Sequence, residues 1–120
     1  MIRVTMGIEI VHTATSRSAL RAIAKDQFED FVKAVVDVER GLMAIGGDLH
    51  ADEEAALLDS GSSQRNLWGI NLYPDISDEQ WIEFDSMINV RPSEGNRSRD
   101  VESHTLRETI RGIVAKLVRD

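Results

Sequence analysis

Two stretches with a two-residue period constrain this chain most. Leu67-Trp68-Gly69-Ile70-Asn71-Leu72-Tyr73 and Trp81-Ile82-Glu83-Phe84-Asp85-Ser86-Met87-Ile88-Asn89-Val90-Arg91 flank a polar segment from Pro74 to Gln80. Successive side chains on a strand point to opposite faces, so the pattern predicts a half-buried antiparallel hairpin. With the loop centred near Ser77, Trp68 opposes Ser86, Ile70 opposes Phe84 and Leu72 opposes Ile82. On the other face Asn71 meets Glu83 and Gly69 meets Asp85, where a glycine leaves room for a ligand, a water or a helix backbone. Trp68, Ile70, Leu72, Ile82, Phe84 and Ile88 are then expected to be buried together against the helices, with Leu106, Ile110 and Leu117.

The remaining segments fall around this hairpin. Ile8 to Val11 reads as a first strand, and Thr15 or Ser16 caps a helix carrying Leu20, Ile23, Ala24 and Phe28 at helical spacing. Phe31 to Ile45 would also suit a continuing helix, but Val32-Lys33-Ala34-Val35-Val36-Asp37-Val38 is dense in β-branched residues. Gly41 follows in a turn, so a second hairpin is expected there. Ala51 to Asp59 reads as a short helix with Leu57 and Leu58 facing inward, and a last helix starts near Ser103 or His104. The order β-α-β-β-α-β-β-α predicts an α+β fold: a four- to five-stranded, mainly antiparallel sheet with helices packed on one face. Residues 8–120 form a single domain, and residues 1–7 read as an N-terminal extension, with Met6 an alternative start to Met1.

At 120 residues the chain suits one domain, and 42% hydrophobic with 29% charged residues is the profile of a soluble globular one. The absence of cysteine excludes disulfides, thiolate catalysis and Cys-based metal sites. No signal peptide or membrane-length apolar run is present, so a cytoplasmic location and no membrane partner are expected. A net charge of −7 argues against nucleic acid as a partner. That charge is uneven: residues 91–120 carry 7 Lys and Arg against 5 Asp and Glu, whereas residues 1–90 carry 7 against 16. An anion-binding surface is therefore expected in the last quarter.

Three polar clusters are candidates for function. Glu83 and Asp85, at i and i+2, would lie about 6.5–7 Å apart. They could share a cation or divide acid and base roles, or simply face solvent opposite Lys and Arg of neighbouring strands. His50 with Asp52, Glu53 and Glu54 invites a metal reading, although the spacing is wrong for a zincin helix and acids in a helix's first turn also complement its dipole. Arg91, Asn96, Arg97 and Arg99 surround Gly95, and their guanidinium groups suit bidentate contacts to carboxylate or phosphate. Their alternative partners are the chain's own acids. A polar cleft would be built from His50, Asp52, Asn71, Glu83, Asp85 and Asn89 beside this Arg loop.

The segments Val32–Glu39, Gly47–Glu54, Leu67–Pro74, Ile82–Pro92 and Gly95–Arg99 together resemble a family of small prokaryotic proteins known only as a domain of unknown function. The resemblance runs from about Ile8 to Val118. It implies a single cytoplasmic domain and carries no activity, cofactor or catalytic role to any residue. The residues themselves point first to a non-catalytic binding or interaction module with an anion-recognising Arg loop. Its partner would be a small anionic molecule or a protein, with homo-oligomerisation within reach. The alternative is a metal-assisted hydrolase acting on a phosphate or carboxylate, with the acids and His50 holding the ion. No cofactor motif is present, neither a Walker A loop nor a Rossmann fingerprint.

Overall fold

The computed structural model describes residues 7–120. The expected extension and both candidate start residues therefore lie at or beyond its edge, with residues 1–6 outside the described residues. The main elements are β1 (Glu9–Val11), β2 (Thr15–Ser16), α1 (Arg17–Asp26), β3 (Val32–Asp37), β4 (Leu42–Ile45), α2 (His50–Asp59), β5 (Leu67–Leu72), β6 (Ile82–Glu83), α3 (His104–Leu117) and β7 (Val118–Arg119). Apart from the two-residue β2 and β7, which pair parallel to each other, this is the predicted order. The class is α+β. Its sheet has five strands in the order β1-β4-β3-β5-β6, each neighbouring pair antiparallel.

Local chemistry explains the boundaries. Ser16 caps α1 by accepting from Ala19 N–H (3.0 Å), and Ser103 caps α3 by accepting from Leu106 N–H (3.2 Å). The β3–β4 hairpin forms rather than a helix because Asp37, fully buried, accepts from Glu39 and Arg40 N–H (2.9 Å each) and from Ser62 Oγ (2.6 Å). Gly41 takes the positive φ (68°) that closes the turn.

Helices cover both faces of the sheet, not one. Val32, Ala34, Val36, Met43, Ile45, Trp68, Ile70, Leu72 and Ile82 pack with Leu20 and Ala24 of α1 and Ile110, Val114 and Leu117 of α3. The alternate residues Val35, Leu42, Ala44 and Leu67 pack with Leu57 of α2 on the opposite face. Leu57 is the inward residue of α2; Leu58, expected to share that role, is exposed. Leu57 continues the buried stripe of His50 and Glu53 at helical spacing, whereas Leu58 lies 100° further round, on the side away from that stripe.

The second hairpin keeps its predicted register where it exists. Asn71 pairs with Glu83 and Leu72 with Ile82. The strand then stops at Glu83, well short of the expected Arg91, and Met87–Asn89 and Pro92–Glu94 form 3-10 turns instead. Phe84 still packs partly against the α1/α3 core, but Ile88 falls in with the α2 cluster on the other side. The reason lies in one side chain. Asn89 Oδ1 accepts from Gly69 N–H (2.8 Å) and Asn89 Nδ2 donates to Gly69 C=O (3.0 Å), so an amide side chain completes the edge of β5 that a strand would have completed.

Candidate functional site

Lys33, Asn71 and Glu83 stand side by side on β3, β5 and β6, on the face that α2 covers only in part. The first turn of α2 approaches this face beside Gly69. His50 is buried, and its Nε2 lies 2.8 Å from the Ile70 carbonyl oxygen, which fixes Nε2 as the donor because a carbonyl can only accept. Burial lowers its pKa, against the opposing pull of the Ile70 bond, and nearby Lys33 lowers it further, so the ring is neutral at pH 7. Gly69 is required here. A Cβ at that position would lie 2.5 Å from Ser86 Cβ, 2.6 Å from Ser86 Oγ and 3.2 Å from His50 Cδ2. The room left by the glycine is filled by Ser86 and His50.

Glu83 and Asp85 do not act as a pair. Glu83 Oε1 accepts from Asn71 Nδ2 (2.9 Å) and Tyr73 OH (3.2 Å), while Asp85 Oδ1 is held by Arg99 Nε (2.6 Å). Asp52 is exposed in the first turn of α2, where it complements the helix dipole. Among the described residues no group of three or more His, Cys, Asp or Glu could hold a metal ion, so the metal-assisted hydrolase reading finds no ligand set there.

The Arg loop divides into two kinds of residue. Arg91 is buried and donates to the backbone carbonyls of Ile88 (3.0 Å), Gln64 (3.1 Å), Arg65 (3.4 Å) and Leu67, with its guanidinium 4.3 Å over the Trp68 ring. Asn96 is also internal, donating to the carbonyls of Asn89 and Asp100 (2.7 Å each) and accepting from Glu102 N–H (2.9 Å). Both are latches for their own chain and leave little for an external anion. Arg97 is exposed, and its backbone N–H rather than its guanidinium bonds Glu102 (3.0 Å). Arg99 alone of this group reaches the sheet face.

Lys33, His50, Ser86 and Arg99 line a cavity of about 200 Å³, with Leu49, Met87 and Ile88 also on its wall. Two larger hollows, of about 410 and 370 Å³, lie beside Glu54, Arg91 and Glu94 and beside Tyr73, Glu83 and Arg111. Size does not favour them as anion sites. Each carries two carboxylates (Glu54 and Glu94 in the first, Glu79 and Glu83 in the second), and the guanidinium of Arg91 is already committed. The 200 Å³ cavity combines two cations with the first turn of α2. There Leu49 stands at the N-cap without a side-chain acceptor; Asp52 and Glu53 N–H bond its carbonyl (3.1 and 3.4 Å), which leaves the N–H groups of His50 and Ala51 for a ligand.

Residues 9–117 match the model of the family described as Protein of unknown function (DUF5674). The chain belongs to this family. Neither the curated proteins nor the solved structures contain a match. Among the described residues no helix is long and apolar enough to cross a membrane.

Sequence reasoning missed Lys33 and Ser86 as cavity residues, and it read Glu53 only as one acid of the His50 cluster, a metal ligand or a complement to the helix dipole, and not as a buried group. Lys33 sits among Val32, Ala34, Val35 and Val36, and its face becomes evident only from its pairing with Asn71. Glu53 follows His50 by three residues and shares its side of α2, so the helical spacing did carry a signal. It is fully buried: Oε2 accepts from Gly47 N–H (2.9 Å) and Oε1 has no partner among the described residues. Burial raises its pKa well above 4.5, with the Gly47 bond only partly opposing. A raised folded-state value means that this group's contribution to stability is fully present below 4.5 and is lost as pH rises through the folded value. Glu53→Gln keeps an acceptor for Gly47 and removes the charge. It should raise the melting temperature at pH 7–8 and flatten the decline above pH 4.5, because every tenfold difference in proton affinity between the folded and unfolded states is worth about 1.4 kcal/mol. Melting curves from pH 4 to 9 check this; a variant less stable than the parent at pH 8 contradicts it.

Proposed function

We propose that this chain is a non-catalytic binding module for a small anion, held in the cavity between the first turn of α2 and the β3–β5 face. The observation that carries the reading is the meeting of Lys33 and Arg99 with an uncapped helix N-terminus, in a protein whose net charge is −7. Of the residues expected to form an anion-recognising loop, Arg99 keeps that role, while the cavity adds Lys33 and the helix N–H groups.

The energetics favour an exchangeable site. The Arg99–Asp85 pair is half exposed, with side-chain exposures of 56% and 43%. Such a pair contributes about 0–1 kcal/mol, so redirecting Arg99 to a ligand costs little. Lys33 Nζ lies 5.0 Å from the centre of the Phe28 ring, a cation–π contact worth about 0.5–1 kcal/mol at an exposed site, so turning the ammonium to a ligand also costs little. Ser86 accepts from Ile88 N–H (3.2 Å) and retains a hydroxyl proton to donate. His50 supplies a neutral ring and no charge. The Nε2 bond to Ile70 makes it a rigid wall of the site.

The test is a calorimetric titration with sodium acetate and with inorganic phosphate at low ionic strength. The parent should show saturable binding of at least one of them. Lys33→Met keeps an unbranched apolar stem, removes the charge and should weaken that binding by about tenfold, the loss expected for a charge-assisted contact of about 1.5 kcal/mol. The parent failing to bind either anion, or Lys33→Met binding as tightly as the parent, overturns the reading.

A further inference from the structure

Among the described residues the two most exposed large hydrophobic side chains are Met87 (65%) and Leu49 (54%), and both line the cavity that holds Lys33 and Arg99. Single exposed hydrophobics are ordinary on a protein surface, but two on the rim of one small cationic cavity, with Ile88 beside them, form a patch of definite chemistry. Leu49 comes from the N-cap of α2 and Met87 from the 3-10 turn that follows Ser86. The adjacent residues, His50 and Ser86, turn inward, and the extended backbone at Leu49 and Ser86 therefore turns Leu49 and Met87 out onto the rim.

Charge sets the other half of the ligand. The two cations that line the cavity are not equally free, because Arg99 is shared with Asp85 at 2.6 Å. Glu83 lies one strand beyond Asn71 and is itself held by Asn71 and Tyr73. His50 is neutral. Asn71 and Tyr73 are neutral donors and leave the charge of Glu83 in place, so the net positive charge around the cavity is no more than one, which matches a monoanion better than a doubly charged phosphate. The volume, about 200 Å³, is below the usual range for cofactor and drug-sized pockets and limits the occupant to a small molecule.

We infer that the ligand of this site is a small aliphatic carboxylic acid, its carboxylate between Lys33, Arg99 and the first turn of α2 and its hydrocarbon chain against Leu49 and Met87. The inference rests on the anion reading above and adds the ligand class. A flexible Met thioether and a Leu side chain offer a surface that adapts to chains of different branching. The apolar contact supplies selectivity over the inorganic anions that any pair of cations would attract.

The experiment is a comparison of dissociation constants for acetate, butyrate, 4-methylpentanoate, 4-methylpentan-1-ol and inorganic phosphate, measured on the parent and on Met87→Gln. Affinity should rise along the carboxylate series, by up to roughly fourfold per buried methylene and about tenfold or more from acetate to 4-methylpentanoate. The alcohol and phosphate should bind more weakly than 4-methylpentanoate. Met87→Gln, a change at an exposed position, should shrink the gain from chain length, so that the ratio of the acetate and 4-methylpentanoate constants falls toward one. Equal affinity for acetate and 4-methylpentanoate, or phosphate binding tightest, overturns the inference while leaving an anion site in place. No binding of any anion overturns both. A short peptide ending in leucine that binds more tightly than 4-methylpentanoate replaces the free acid by a chain terminus and also overturns it.

Discussion

Asn89→Ala is expected to lower stability by about 2–5 kcal/mol, because it strands both backbone groups of Gly69 at once and removes one of the two donors to the Arg99 carbonyl. Its amide accepts from Gly69 N–H (2.8 Å) and donates to the carbonyls of Gly69 (3.0 Å) and Arg99 (2.9 Å). Each buried group left without a partner costs about 1–3 kcal/mol, and Asn89 is itself fully buried. Urea unfolding gives the value directly. The loss should be accompanied by detachment of the segment that carries Ser86 and Arg99, since Ser86 N–H bonds Arg99 C=O (3.0 Å) in the same network. A loss under about 1 kcal/mol, the least expected for even one stranded group, would mean that Asn89 is not the partner that completes β5.

Arg91→Met should cost a comparable amount, about 3–5 kcal/mol. The substitution keeps an apolar stem and removes a guanidinium that serves four backbone carbonyls and stacks on Trp68. Arg91→Lys should recover only part of the loss, since an ammonium cannot reproduce the planar fork. Anion binding by the folded fraction should be unchanged in both variants. If Arg91→Met melts like the parent but no longer binds an anion, the residue is a ligand contact and not a latch.

These two residues also show where the sequence was readable. Alternation over residues 67–73 and 81–83 determined faces and register correctly, because a slip of one residue would have exposed Trp68, Ile70 and Leu72. From Phe84 onward the same alternation continues, yet the chain leaves the sheet. A side-chain amide that imitates a paired backbone has no periodic signature, so Asn89 read as one more strand residue. Arg91 illustrates a second limit. Its residue type suits anions, but its partners are main-chain carbonyls, and nothing in a sequence marks which carbonyls a fold leaves unpaired. The opposite placement of α2 was hidden by its weak amphipathicity, with Leu57 and Leu58 adjacent and acids spread around the rest. Capping serines, by contrast, marked the starts of α1 and α3, because a cap is a local contact whose partners are three residues apart.

The cavity assembled by Lys33, His50, Ser86 and Arg99 required long-range pairing to become visible. Lys33 and Asn71 are brought together by the β3–β5 ladder, and Ser86 and His50 by the space that Gly69 leaves. The most direct test is a residue-resolved titration of the isotope-labelled protein with butyrate, followed by amide chemical shifts. Binding in this cavity predicts that the largest, saturable shifts fall on His50, Ala51, Lys33, Ser86 and Arg99, with the Pro92–Arg97 turn nearly silent. Shifts centred on Arg91 to Arg97, or spread without saturation over the surface, would contradict it.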